Sequence, residues 1–242
     1  MTRHLIFLIL TTFCLIVFNS CGNDEPIVRQ QYEAVDLGLS VKWANMNLGA
    51  TAPQNYGRLI GWADSSGVHT TFDGIFLSYQ YINSVLHTNC TWNSPYYGGN
   101  TPLSNIAGTD YDPARYIWNT NWRIPTQEQW QELIDRCSWT LETIEGNQVL
   151  RATGPNGNSI ILPLSGINTT GAEGTHEYRD LMAFYWSANL LPASQQADYH
   201  INATRPVAAW AMQFNSDADT RPAMQPQIRC YRLPVRAVQN NP

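Results

Sequence analysis

Residues 121–137 read N-W-R-I-P-T-Q-E-Q-W-Q-E-L-I-D-R-C, and they crowd tryptophan, arginine, carboxylate and thiol side chains together. A thiolate nucleophile with a neighbouring acid or base would need such a set. Two other carboxylate pairs invite a glycosidase reading, Glu142 with Glu145 and Glu173 with Glu177. That chemistry is set by the distance between carboxyl groups in space, so spacing along the chain decides nothing. Each pair lies in or near a polar stretch, where solvated charge is the commoner explanation. The histidines beyond the leader are His69, His87, His176 and His200, and none forms the H-x-H or H-E-x-x-H spacing of a zinc site. Neither a G-x-S-x-G elbow nor a phosphate-cradling glycine loop is present.

Ligand-binding residue types are more informative. Asn215, Ser216, Asp217 and Asp219 form the densest oxygen cluster. Calcium takes six to eight oxygens, and this run is too short for an EF-hand. A plain turn explains it better; Asn215, Asp217 and Asp219 are the candidate metal ligands, for which Ca2+ is the ion allowed but not signalled, so no cofactor is expected. Trp92, Tyr96 and Tyr97 are the candidate rings for stacking on a ligand; the competing role is packing their long loop onto the body.

The elements that must position these residues can be read from period and punctuation. Thr126 and Gln129 form a T-x-x-Q capping box, with Pro125 just outside. Trp130, Leu133, Ile134 and Cys137 then recur at i, i+3, i+4 and i+7. The spacing predicts a helix with a core stripe and a wet face of Glu128, Gln131, Glu132 and Asp135. Cys137 is therefore expected buried or disulfide-bonded, not poised as a thiolate. Asp112 and Pro113 suit the N-cap and first position of a short helix, with Ala114, Ile117 and Trp118 on one face.

Strands are expected on both sides of Gly38 in 32–50, and at 56–64, 183–191, 208–216 and 233–239. Residues 148–166 read as a hairpin about G-P-N-G-N. Segments 65–109 and 166–180 read as long irregular loops, and 192–207 and 217–232 as polar links. Trp43, Trp62, Trp122, Trp130, Trp186 and Trp210 fall in regular elements and are expected in the core.

Composition narrows the class. The 242 residues are 43% hydrophobic and only 14% charged, with 16 Gly and 14 Pro, which fits a β-rich, loop-rich chain of one domain or two small ones. Lys42 is the only lysine, the formal charge is −5 and no basic stripe appears, so nucleic acid is not an expected partner.

Arg3 and His4 precede an apolar run from Leu5 to Phe18, right for a signal-peptide core and too short to span a bilayer. Ser20-Cys21 directly after it resembles a bacterial lipoprotein signal, in which Cys21 becomes the lipidated first residue. Phe18 and Asn19 stand where leucine and a small residue are commoner, and ordinary secretion with Cys21 as a plain thiol is the alternative. Residues 1–20 are then a leader and 21–31 a tether, whose Asn23-Asp24-Glu25 resembles the acidic signal for the outer face of the outer membrane in Bacteroidetes-type lipoproteins. Without the leader, Cys90, Cys137 and Cys230 remain beside Cys21, allowing one intramolecular disulfide at most, and the sequence does not choose the pair.

Several signatures then stand in one order: "VDLGLSVKWANMNLGA", "YGRLIGWAD", "WNTNWRIPTQEQWQEL", "GPNGNSIILPLSG", "YWSAN", "AWAMQFNS" and "LPVRAV". Over about 33–239 this resembles the Fibrobacter succinogenes major paralogous domain of Bacteroidetes surface lipoproteins. That family resembles the C-type-lectin-like fold, shared with formylglycine-generating enzymes, where a W-R-[LIM]-P-T-x-x-E-W stretch also starts the main helix. The resemblance implies an α+β domain at 32–240, with small twisted antiparallel sheets, two helices, long loops and an insertion at about 65–109. It also implies that strands near 33–44 pair with the strand at 233–239. The implied role is recognition of a glycan or a protein at the cell surface, without catalysis and with membrane attachment through lipid on Cys21. A structural or pilus-associated component with a protein interface alone is the alternative. Formylglycine-type catalysis needs two cysteines; Cys230 has no second one within 90 residues, so that activity is not expected.

Overall fold

Val35 pairs with Trp43 across the turn that holds Gly38, and this joins β1 (Ala34–Asp36) to β2 (Val41–Ala44). The computed structural model describes residues 32–64, 79–82, 85–88, 103–169, 175–192, 194–195, 208–229 and 231–241, all within the unit Gln31–Pro242. On the other edge of β2 lies β13 (Val238–Asn240), with Val238 opposite Trp43 and Asn240 opposite Val41. The two ends of the domain therefore share a sheet, as the resemblance implies.

The strand expected at 233–239 is split. Arg232–Leu233 forms β12 against β3 (Ile60–Gly61), which is all that remains of the strand expected at 56–64. Pro234 has no N–H to continue the ladder, and a proline inside a paired strand ends it. Residues 234–237 are still buried, and their carbonyls accept from Ala44 N, Leu48 N and Trp186 N.

A second antiparallel sheet has the order β11–β10–β9, from β9 (Met182–Leu190), β10 (Ala208–Asn215) and β11 (Ala223–Ile228). β11 lies within the expected polar link 217–232, which corrects that reading. It is an edge strand, short, largely polar and carrying Pro226, and such strands have no strong sequence signal. A third sheet runs β6 (Ser138–Ile144), β7 (Asn147–Thr153), β8 (Ser159–Pro163). The β7–β8 hairpin is the one expected around G-P-N-G-N. Glu142 lies in β6, a strand rather than a polar loop, while Glu145 and Gly146 form the two-residue turn to β7, both at positive φ. A further hairpin, β4 (Tyr79–Ile82) with β5 (Val85–Thr88), lies inside the segment read as irregular.

Both helices begin where their caps require. α1 is Pro113–Ile117, capped by Asp112, and α2 is Gln127–Arg136, with the Thr126–Gln129 capping box complete. Trp130, Leu133, Ile134 and Cys137 are buried against Trp43, Leu150, Tyr185 and Met212, so the α2 stripe unites all three larger sheets in one core. A second core gathers Ile60, Trp62, Ala114, Trp122, Ile124, Phe184 and Trp186. Of the tryptophans expected inside, Trp43, Trp62, Trp122, Trp130 and Trp186 are buried. Trp210 is only half-buried; it stands opposite Pro226 of the edge strand β11. The architecture is α+β, built of small antiparallel sheets and two helices.

Candidate functional site

The most deeply buried polar side chains serve the scaffold. Asp112 is fully buried, and its carboxylate accepts from Gly108 N at 2.8 Å, Ala114 N at 2.9 Å, Arg115 N at 3.4 Å and Ile124 N at 3.1 and 3.0 Å. Burial pushes its pKa up, and these N–H groups pull it back. Arg236 is likewise buried and donates to Asn47 Oδ1 at 2.9 Å, Ala44 O at 3.0 Å and Ile161 O at 2.8 Å. Burial lowers its pKa to about 10, which leaves it charged at neutral pH. Cys137 is a free, buried thiol pushed up to about 11 by burial, the opposite of a nucleophile's environment.

The 166–180 segment gathers titratable groups, and they too are engaged. Gly166 lies at φ +66, and a β-carbon there would stand 2.1 Å from the Glu177 carbonyl oxygen, so only glycine fits. Ile167 can then bridge to Glu177. His176 Nδ1 lies 2.9 Å from Ser165 O, and a carbonyl only accepts, so that nitrogen carries the proton. The Tyr56 hydroxyl donates to Asp180 Oδ1 at 2.6 Å, with Asn147 Oδ1 at 3.0 Å. Burial, with the Asp180 carboxylate next, holds the phenol far above its ordinary pKa. Arg179 lies over the Tyr56 ring, 5.7 Å from its centroid. Tyr178 and Asp180 take left-handed φ of +60° and +62°. Such conformations cost about 1–3 kcal/mol each. These contacts stitch the loop carrying Tyr56 to the one after Gly166, and that stitching offsets the strain.

The candidate oxygen cluster lies at the turn after β10. Asn215 Oδ1 accepts from Asp217 N at 3.0 Å, and Asp219 Oδ2 accepts from Asn215 N at 2.7 Å, so two of its oxygens are turned onto the turn's own backbone. Among the described residues no group of three or more His, Cys, Asp or Glu side chains could hold a metal ion. Glu142 is paired with Arg151 at 2.7 Å. Trp92, Tyr96, Tyr97 and Cys21 lie outside the described residues, as do Cys90, Cys230, Glu173, His69 and His200.

Beside α1 the described residues Thr109, Asp110, Arg115, Tyr116 and Thr120 line an open cavity of about 390 Å3. The buried face of α1 turns Ala114 into the second core, which leaves Tyr116 outward and 66% exposed. The chain leading into the cavity is tied to β9. Residues 104–106 bridge to β9 through Ile106 N to Ala188 O and Leu190 N to Ser104 O. Behind α1, Trp118 stacks on Tyr32 at 3.8 Å and meets Trp122 edge-on at 5.0 Å. Sequence reasoning identified the short helix but not this site. The available signal was that Arg115 and Tyr116 fall off the face shared by Ala114, Ile117 and Trp118.

No family model, no curated protein and no solved structure matches this chain.

Proposed function

We propose that this chain is a non-enzymatic, lipid-anchored protein of the outer cell surface, with a C-type-lectin-like domain that recognises a glycan. The observation that carries the recognition half is the cavity beside Tyr116, where an exposed ring adjoins a guanidinium, a carboxylate and hydroxyls. Aromatic rings and a few convergent polar groups on a preformed concavity are what a small polar ligand needs. The lectin-like assignment is supported by the W-R-I-P-T start of α2 and by the pairing of β2 with β13. The anchor rests on the Ser20-Cys21 junction and the acidic residues after it.

A glycan array and a polysaccharide pull-down with the purified protein test recognition; no glycan bound, with or without Ca2+, sinks it. Metabolic labelling with a fatty-acid analogue tests the anchor. Label should disappear in Cys21→Ala, and persistence there removes the lipoprotein assignment. Proteolysis of intact cells reads which membrane face the domain occupies.

A further inference from the structure

The geometry points to the α1 cavity as a metal-independent subsite for a neutral pyranose, stacked on Tyr116 and hydrogen-bonded by Asp110 and Arg115; this rests on the glycan reading above. Several charged side chains elsewhere in the domain are engaged internally. Arg123 reaches Gln129 and Asn240, Arg151 reaches Glu142 and Ser159, and Arg221 reaches Asp135. By contrast, the side chains of Asp110, Arg115, Tyr116 and Thr120 take no hydrogen bond or ion pair from another described residue, yet they line one cavity. Its volume of about 390 Å3 lies inside the about 300–1,000 Å3 range of small-molecule clefts.

Charge selects the ligand class. Among the described residues the lining holds one carboxylate and one guanidinium, whose formal charges cancel. An acidic sugar that met Arg115 would also meet Asp110, inside a protein of formal charge −5. A neutral polyol meets no such conflict. Its hydroxyls donate to Asp110 and accept from Arg115, so each group finds the partner its chemistry requires. Tyr116 offers a flat apolar face for the C–H side of the ring, and its hydroxyl and that of Thr120 give further polar contacts. Rigidity favours binding as well, since Asp112 fixes the backbone between Asp110 and Arg115 before any ligand arrives.

Affinity electrophoresis of the full chain tests this, using gels that contain mannan, xyloglucan or galactan, with polygalacturonate and alginate as acidic counterparts. The expected result is retardation by at least one neutral polymer, unchanged by EDTA. Affinity should fall by about tenfold or more in Tyr116→Ala and in Asp110→Asn, and Tyr116→Phe should retain most of it. Unchanged far-UV circular dichroism and melting temperature in each variant exclude misfolding. Retardation by the acidic polymers alone overturns the neutral class, and loss of binding in EDTA overturns metal independence. Neutral binding that survives both Tyr116→Ala and Asp110→Asn overturns the site and leaves the glycan reading standing. No retardation in any gel overturns both.

Discussion

Asp112 takes the Ile124 N–H on both carboxylate oxygens, at 3.1 and 3.0 Å, while its Oδ1 also caps α1 by accepting from Ala114 N and Arg115 N. One side chain thus sets both the start of the short helix and the run entering α2. Asp112→Asn puts an amide donor among backbone donors and should lower the unfolding free energy by about 2–4 kcal/mol. Urea denaturation measures it. A variant with an unchanged midpoint would mean that the carboxylate is not the anchor.

Arg236 satisfies three acceptors that lie in different directions, on Ala44, Asn47 and Ile161. A lysine ammonium cannot reach all of them from one nitrogen. Arg236→Lys is expected to cost about 3 kcal/mol or more, and Arg236→Met to cost a comparable amount by leaving buried carbonyls unpaired. Thermal unfolding followed by circular dichroism reads both. Equal melting temperatures for wild type and Arg236→Lys would show that the fork geometry is dispensable.

The Glu142–Arg151 pair gives a pH dependence of known sign. Hydrogen bonds from Arg151 hold the Glu142 carboxyl below its ordinary value of 4.5. A depressed carboxyl contributes stability that is present above the unfolded value and is lost as pH falls through the folded one. The melting temperature of Glu142→Gln should lie below wild type at pH 7, and the gap should close as pH falls below about 4. Both groups are about a third exposed, so 0.5 M NaCl should narrow the gap at pH 7. A gap that is constant with pH excludes the ion pair as its cause.

Burial of Cys137 predicts its reactivity. With the thiol near 11, on the order of one in a thousand is ionised at pH 8. Iodoacetamide should label the Cys137 peptide in denaturant and leave it nearly untouched in the native protein, as read by peptide mass spectrometry. Native labelling as fast as denatured labelling would place the thiol at the surface.

Local signals were the readable ones. The Thr126–Gln129 box, the Asp112 cap, the Trp130-to-Cys137 stripe and the hairpin around Gly154 depend on residues a few positions apart, and sequence carries that information. β6 and β11 were missed because each is stabilised by its neighbour across the sheet rather than by its own alternation, as where Glu142 of β6 pairs with Arg151 of β7. The Tyr116 cavity was hidden for a related reason. The sequence placed Ala114, Ile117 and Trp118 on one face, but it did not show that the residues off that face meet Thr109 and Asp110 around one cavity; that meeting is a matter of the folded chain, in which Asp112 ties α1 to Ile124.

Trp43 and Val238 face each other across β2 and β13, although nearly the whole domain lies between them in the chain. During synthesis the first sheet therefore stays open on one side until the last residues emerge. Trp43 can be sealed only at that moment, and the pairing is of the non-local kind that slows folding. A nascent chain with this topology stays unfinished for almost its entire production. That postpones commitment to the folded form until β13 has been made.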